Sequence, residues 1–441
     1  MSNPFNEYSI FLTVNSAFST TCINNFMILS SKISLEAANT GKQDNLALFI
    51  AEYRKAMAFY VDYLWIKCAI DKQKYRVPKF IASEVKPFET NLSARALKCA
   101  ATQACGMVSA RVKKLGKTQF IVKREQRAGK PAAKLQSKYD RLVSKLKKPK
   151  TNMVLPELNS ICANWETKKT NLFDAVVVIS SIGKQYGKIA IPVKRTKHFN
   201  SLSGIGKQKT SFLLNKSHVN VRFDIQVEQK TTGYIEGADQ GMRTCVTLSD
   251  GQVTPADIHG HNLASICKKL SKKRKGSRAF AKAQAHRTNY INWSIKQLNL
   301  VGIKQINLEK LRHMGKGKRV SRYLQSFAHK EIRTAMTKAC QLGGVRLVEQ
   351  SNAYRSQRCS HCGLVHKSSR RGELFVCKGC KFTANADLNA AMNHKVKLCD
   401  LPTRFNHLPN RSLGFYWNSD GLIGVDGLEI TVPVAKKRQV I

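Results

Sequence analysis

The amino-acid sequence predicts a multidomain α+β protein with an N-terminal β-barrel and a C-terminal α/β domain. Strand-like segments bounded by turn residues occupy residues 1–40 and 150–230. Between them, residues 41–149 repeat apolar side chains every three or four positions, which is the spacing of an amphipathic helix. From residue 231 onwards strand and helix patterns alternate. The first half is therefore predicted to be a barrel that a helical insertion interrupts.

The helical insertion becomes strongly basic in its second half. Between Arg111 and Lys150 the sequence has fifteen Lys or Arg residues and only two acids, Glu125 and Asp140. A charge run is often no more than a solvated surface, but a run with so few acids favours contact with phosphates. The candidate nucleic-acid contacts in this segment are Lys113, Lys114, Lys123, Arg124 and Arg127.

The overall composition indicates the same kind of partner. Seventy-five Lys and Arg residues stand against twenty-eight Asp and Glu residues, so the formal net charge is +47. Such a chain repels itself unless a polyanion neutralises it, which favours a nucleic-acid partner over a protein that is merely basic and soluble. The sequence shows neither a signal peptide nor an apolar run long enough to cross a membrane, so we expect a cytoplasmic, nucleoid-associated protein.

Four of the thirteen cysteines form two paired motifs, CSHCG and CKGC. They are Cys359, Cys362, Cys377 and Cys380. Their spacing predicts a zinc ribbon, in which four thiolates surround one structural Zn²⁺ tetrahedrally. Free thiols or disulfides are the alternative, but the other nine cysteines are scattered and favour a reducing compartment. Since four cysteines complete such a site, the nearby His361 and His366 are predicted to be surface residues or substrate contacts.

Three acids of the C-terminal half stand at the ends of predicted elements. Asp239 follows a short strand in GADQG, Glu309 ends the apolar segment IKQINLE, and Asp387 opens a helix in NADLNAA. Taken singly, they could be a turn residue, an ion-paired residue at a strand end and a first-turn acid that the helix dipole favours. Taken together, three carboxylates can hold two Mg²⁺ ions, which neutralise the attacking and leaving oxygens during phosphodiester hydrolysis.

The motifs GADQG, NLEKL and NADLNAA, with SQRCSHCG and CKGC between the last two, resemble a known nuclease domain. It is the split RuvC-like domain of the transposon-encoded TnpB proteins and of compact type V CRISPR effectors, and the resemblance spans about Gly233 to Lys397. It implies an RNase H-like fold with a zinc-ribbon insertion, and it implies that Asp239, Glu309 and Asp387 are the catalytic, magnesium-binding acids. It also implies a prokaryotic protein that uses guide RNA to direct cleavage of double-stranded DNA beside a short duplex motif.

The strand and helix patterns, together with the resemblance, give a domain plan. The expected domains are a wedge-like β-barrel domain (1–40 and 150–230), a helical recognition domain (41–149), a RuvC-like nuclease domain (231–358 and 385–400), a zinc ribbon (359–384) and a C-terminal extension (401–441). The extension has no predicted role.

More basic residues lie in the C-terminal half. Between Ile266 and Thr288 the sequence has no acid, and the basic residues would surround most of one long helix. Such a helix suits a guide–target heteroduplex that is recognised through its backbone. The loop between the two cysteine pairs is basic as well. The candidate nucleic-acid contacts of this half are Lys268, Lys269, Lys272, Lys273, Arg274, Arg278, Arg358, Arg370 and Arg371.

The leading hypothesis is an RNA-guided DNA endonuclease with two Mg²⁺ ions and one structural Zn²⁺ as cofactors. Its partners would be guide RNA and double-stranded target DNA, bound by a monomer or by a homodimer on one guide RNA. An RNA-guided binder or repressor that does not cut is a second hypothesis, which the complete set of three acids argues against. A transposon accessory nuclease or junction resolvase that works without RNA is a third, and it has little need for so much basic surface. The sequence does not separate a transposon-encoded nuclease from a CRISPR effector.

Overall fold

The computed structural model describes residues 24–70, 85, 89–127, 137, 140, 147–167, 170–311, 320–401 and 414–425. The strand predicted before residue 24, most of the basic segment 128–146 and most of the C-terminal extension lie outside the described residues, as do the side chains of Lys114, Lys123 and Arg124. Among the described segments, no helix is long and apolar enough to cross a membrane.

The chain divides into two compact units. Phe26–Gln226 form the N-terminal unit, and Met1–Asn25 together with Val227–Ile441 form the C-terminal unit.

Antiparallel strands and two long helices build the N-terminal unit. Helices α1 (Thr40–Ile70) and α2 (Ala94–Arg127) follow strand β1 (Asn24–Ser34) and pack against each other. Helix α1 buries Phe49 and Tyr53 completely, which accounts for the three-to-four-residue spacing of its apolar side chains. The other elements are β2 (Glu157–Leu158), β3 (Ala163–Glu166), β4 (Ala175–Ile179), β5 (Ile189–Val193), α3 (Lys197–Ile205), β6 (Lys207–Leu214) and β7 (His218–Glu228).

The strands of this unit form two separate sheets. One has the order β1-β7-β6-β2 and the other has the order β3-β4-β5. The ring of Phe199 on α3 stacks on Trp165 of β3, with ring centroids 5.1 Å apart, and meets Phe223 of β7 edge-on at 5.2 Å. Aromatic side chains rather than backbone hydrogen bonds therefore connect the sheets, and the described strands do not close into the predicted barrel.

A mixed four-stranded sheet lies at the centre of the C-terminal unit. Strands β8 (Tyr234–Asp239), β10 (Ile303–Lys310) and β11 (Arg346–Ser351) are parallel, and β9 (Thr247–Leu248) pairs antiparallel with β8, giving the order β11-β10-β8-β9. The helices of this unit are α4 (Leu263–Ser271), α5 (Arg278–Ile295), α6 (Arg322–Gln325), α7 (His329–Leu342) and α8 (Ala386–Lys395). The prediction of a multidomain chain that mixes helices with strands is confirmed, and the RNase H-like assignment stays a prediction.

The basic segment of this unit forms two helices instead of the one long helix predicted. Helix α4 ends at Ser271 and α5 begins at Arg278. Between them Gly276 has a φ of 84°, a left-handed conformation that a helix interior does not tolerate. The hydroxyl of Ser277 then accepts a hydrogen bond from the Phe280 amide at 3.1 Å and caps the second helix.

Two small sheets lie beside the cysteine pairs. They are formed by β13 (Arg370–Arg371), β14 (Leu374–Val376) and β15 (Thr383–Asn385), and by β12 (Leu364–Val365), β16 (Phe415–Trp417) and β17 (Leu422–Gly424). Strands β16 and β17 belong to the C-terminal extension. This part of the extension therefore has a structural role, since it adds two strands to the segment that leaves the first cysteine pair.

A buried polar network connects this hairpin with helix α8. The guanidinium of Arg358 donates to the Trp417 carbonyl at 2.7 Å and to the Asn393 side-chain oxygen at 2.6 Å. The Asn393 side chain in turn donates to the Arg358 carbonyl at 2.7 Å, and that of Asn389 donates to the same carbonyl at 2.8 Å. Arg358 is only 5% exposed, so the predicted contact with nucleic acid is not supported by its position. Its guanidinium is engaged in hydrogen bonds inside the protein instead.

Replacing Arg358 with leucine should destabilise the C-terminal unit by about 2–4 kcal/mol, because it leaves buried acceptors without donors. The matched control is Arg371→Leu, at an exposed basic position, with an expected change of less than about 0.5 kcal/mol. Urea unfolding followed by circular dichroism measures both values. Equal stabilities of the two variants would contradict the structural role of Arg358.

Candidate metal centres

The three predicted acids converge at one edge of the central sheet. Asp239 ends β8 and Glu309 lies near the end of β10, and these neighbouring strands are parallel with Ala238 opposite Leu308. The carboxyl ends of parallel strands meet at the same edge, so the two side chains come together. The side chain of Gln240 donates to the Glu309 carbonyl at 2.8 Å and joins the two strand ends.

Helix α8 brings the third acid to this edge. A Cβ atom placed on Gly237 would lie 1.9 Å from the Ala391 carbonyl oxygen, so only glycine lets α8 approach β8 this closely. At the start of α8, the Asn385 side chain accepts hydrogen bonds from the amides of Asp387 and Leu388 at 2.9 and 3.2 Å. This cap places Asp387 in the first helical turn.

Arg370 faces the acids from strand β13. Its guanidinium is 2.9 Å from a carboxylate oxygen of Asp387, and the pair is mostly shielded from solvent. The sequence predicted Arg370 as a nucleic-acid contact, whereas here its guanidinium is engaged in an ion pair with a candidate metal ligand.

Burial and repulsion between charges favour the protonated forms of two of the acids, Asp239 and Glu309. Burial raises the pKa of Asp239 well above its ordinary value, and the charges of Glu309 and Asp387 raise it further. Burial likewise raises the pKa of Glu309 to about 7, although hydrogen bonds and the charge of Arg370 oppose the shift. A divalent cation in this cluster would replace the protons, because it stabilises the ionised carboxylates.

A buried histidine joins Asp239 and Glu309 in a compact group of possible ligands to which Asp387 does not belong. Asp239, Glu309 and His394 each offer one ligand atom, and these three atoms lie within 4.8 Å of one another. Burial, together with the charge of Arg355, lowers the pKa of His394 to about 3, so its imidazole is neutral. The carboxylate oxygens fit a hard divalent cation. The sequence reasoning missed His394, although it lies two helical turns after Asp387 on the same face of α8.

The two cysteine pairs also meet. The sulfur atoms of Cys359 and Cys380 are 3.7 Å apart, and those of Cys362 and Cys377 are 3.6 Å apart. All four sulfur atoms lie within 4.8 Å of one another. Around a tetrahedral ion with metal–sulfur bonds of about 2.3 Å, the sulfur atoms are separated by about 3.8 Å. The four cysteines therefore fit one tetrahedral ion.

Each cysteine pair folds as a tight turn. The residue after the second cysteine is left-handed in both turns, with φ of 82° at Gly363 and 64° at Lys381. His361 lies in the first turn and stacks on Phe382, with ring planes 12° apart. Its side chain is thus held by the turn of the other pair.

Most of the other predicted nucleic-acid contacts are exposed. On α4 and after it the apolar residues point inward and the basic residues outward, so the basic residues share one surface. The exposed candidates are Lys113, Arg127, Lys268, Lys269, Lys272, Arg274, Arg278 and Arg371. Lys273 is partly buried, and its carbonyl accepts a hydrogen bond from Arg322.

Residues 329–394, which contain α7, the four cysteines and Asp387, match the family model described as Cas12f1-like, TNB domain. This segment of the chain is similar to a Cas12f1-like TNB domain. Over 74 residues the chain is 35% identical to the CRISPR-associated endodeoxyribonuclease Cas12f1 of Sulfoacidibacillus thermotolerans, and this match covers 17% of the chain and 18% of that relative. The resemblance to compact type V effectors that the motifs predict is thus confirmed, and in sequence it is documented around the TNB domain.

Two solved structures are similar over much of the chain at low identity. A Cas12f1–sgRNA–target DNA complex has a TM-score of 0.42 and 14% identity, over 80% of this chain and 81% of that chain. The mini-RNA-guided endonuclease CRISPR-Cas_phi3 has a TM-score of 0.43 and 9% identity, over 84% of this chain and 92% of that chain.

Without added divalent cations, the contribution of Glu309 to the stability of the protein should fall as the pH rises from 4.5 to about 7, because the folded state holds the Glu309 proton more tightly than the unfolded state does. Glu309→Gln cannot ionise and should lose less stability over this range. Thermal unfolding across the range measures the difference, with the exposed Glu373→Gln as the control. Identical pH profiles of the two variants would contradict the proposed burial of the Glu309 proton.

Proposed function

We propose that the protein is an RNA-guided DNA endonuclease whose cutting site is the cluster of Asp239, Glu309 and Asp387. The observation that carries the proposal is the convergence of these three acids, distant in sequence, at one buried edge of a parallel sheet. Carboxylates with raised pKa values in such a setting are typical of catalytic metal sites. Asp387 lies in the segment that is similar to a Cas12f1-like TNB domain, and the Cas12f1 relative is named an endodeoxyribonuclease.

The chemistry would be hydrolysis of a phosphodiester by water. Two Mg²⁺ ions held by these residues would supply charge neutralisation at the attacking and leaving oxygens. Asp239 and Glu309 would hold the ions from the two strand ends, and Asp387 would hold them from α8. Because the sheet and helix fix these side chains before the ions bind, little reorganisation is needed. The ion pair of 2.9 Å with Arg370 orients the Asp387 carboxylate.

A structural Zn²⁺ would occupy the four-cysteine site. Slight burial raises the pKa of Cys380, but hydrogen bonds from the Phe382 backbone and from neighbouring side chains lower it to about 6. The lowered pKa favours the thiolate, which is the form that binds zinc. Zinc would hold the two cysteine turns together and thereby fix β13, which carries Arg370, in front of α8.

The basic surfaces would bind guide RNA and target DNA. A net charge of +47 supplies the phosphate contacts that such partners require. The exposed residues of α2 and of the α4–α5 region are the proposed contacts, and Arg371 is proposed at the ribbon. Guide pairing would then select the target sequence, while the protein holds the heteroduplex through its backbone. We propose that the wedge-like, recognition, RuvC-like and ribbon domains, with the bounds given above, divide these tasks among them. The protein would act in the cytoplasm.

Asp239→Asn should lower the rate of DNA cleavage by more than about 100-fold while leaving binding to guide RNA and target DNA intact, because the change removes a metal ligand and no basic residue. The assay is cleavage of a target plasmid with guide RNA and Mg²⁺, with gel-shift titration for binding. The control is Asp250→Asn, an exposed acid in the turn after β9. Cleavage by the Asp239 variant at the rate of the control would refute the assignment.

Cys362→Ser should reduce the zinc content from roughly one ion per chain to a small fraction of that, since three thiolates no longer close the tetrahedral site. Elemental analysis by mass spectrometry measures the zinc. Cys399→Ser, outside the four-cysteine group, is the matched control and should keep its zinc. Equal zinc content in the two variants would show that these cysteines do not form the site.

A further inference from the structure

His394 occupies a position that neither the motifs nor the family model explain. Its side chain is 1% exposed and lies on the face of α8 that packs against the sheet. One of its ring nitrogens lies within 4.8 Å of a carboxylate oxygen of Asp239 and of one of Glu309, while those two oxygens are equally close to each other. Three donor atoms from three elements are thus grouped around one point.

The sheet holds this histidine from two sides. The Asn307 side chain on β10 donates to the His394 carbonyl at 2.9 Å, and the Gln350 side-chain oxygen on β11 lies 3.4 Å from Nδ1. A metal-bound histidine commonly donates its second ring N–H to such an oxygen, which fixes the ring and leaves the other nitrogen free to coordinate. Gly237 supports the same arrangement, because an added Cβ there would lie 2.8 Å from the His394 carbonyl carbon and push the helix away.

We propose that His394 is a nitrogen ligand of the carboxylate cluster, so that Asp239, Glu309 and His394 together bind a divalent cation. The inference rests on the proposed function and changes its metal chemistry. A site with oxygen ligands alone suits Mg²⁺, whereas a neutral imidazole adds affinity for first-row transition ions. The cluster should therefore bind Mn²⁺ more tightly than Mg²⁺, and the loss of His394 should weaken Mn²⁺ binding more than Mg²⁺ binding.

The test uses Mn²⁺ as the probe on the full chain carrying its zinc, without nucleic acid. Electron paramagnetic resonance counts bound Mn²⁺, and electron spin echo modulation from ¹⁴N reports a histidine ligand directly. We expect the unmodified protein to show this modulation. His394→Leu should lose it and bind Mn²⁺ at least about 10-fold more weakly. His394→Gln keeps a polar side chain in the same space and should lose the modulation too, and the exposed His259→Gln should behave like the unmodified protein.

Three results would overturn the proposal. The ¹⁴N modulation persisting in both His394 variants would assign the nitrogen to another residue. Mn²⁺ bound without modulation in the unmodified protein would mean that only carboxylates coordinate it, and the proposed nuclease site would then stand without His394. If neither the unmodified protein nor Asp239→Asn binds Mn²⁺, the carboxylate cluster is no metal site, and both this inference and the proposed function fail. As a folding control, the two His394 variants should unfold at midpoints near that of His259→Gln. This result would show that folded proteins are being compared.

Discussion

Helix α8 lies against strand β8 with no room for a side chain at Gly237, and the positions of the functional groups follow from this contact. It sets the start of the helix beside Asp239, which brings Asp387 to the strand ends, and it sets the last turn over the sheet, which brings in His394. The same helix carries Asn389 and Asn393, which bind the backbone of the segment entering the first cysteine pair. One helix therefore fixes the acids and the ribbon relative to each other within the C-terminal unit.

Much of the fold and of the candidate site could be predicted from local patterns in the sequence. Paired cysteines at this spacing predict a shared metal ion. An apolar strand that ends in a single acid, as before Glu309, restricts where that acid can lie. Helical spacing around Phe49 and Tyr53 likewise reflects a local rule of burial. These features could be predicted because each depends on residues that are close together in the chain.

The features that escaped prediction depend on distant partners. From the sequence Arg358 resembles a phosphate contact, but in the structure its guanidinium donates a hydrogen bond to the carbonyl of Trp417, which is far along the chain. The barrel was expected from strand patterns, but the patterns do not reveal that Phe199 connects two sheets by ring packing. His394 shows no motif of its own. Its significance comes from the strand ends that it faces.

The hairpin of β16 and β17 has a consequence for the order in which the C-terminal unit assembles. The cysteine turns form between residues near in sequence, whereas Leu364 of β12 pairs with Tyr416 across a long intervening segment. Closing that segment costs chain entropy that only the finished sheet recovers, so this pairing should come late in folding. In hydrogen-exchange experiments, the amides of β16 and β17 should then exchange through a local opening that costs less free energy than unfolding of the whole unit. The amides of β8 and β10 should stay protected until the whole unit unfolds.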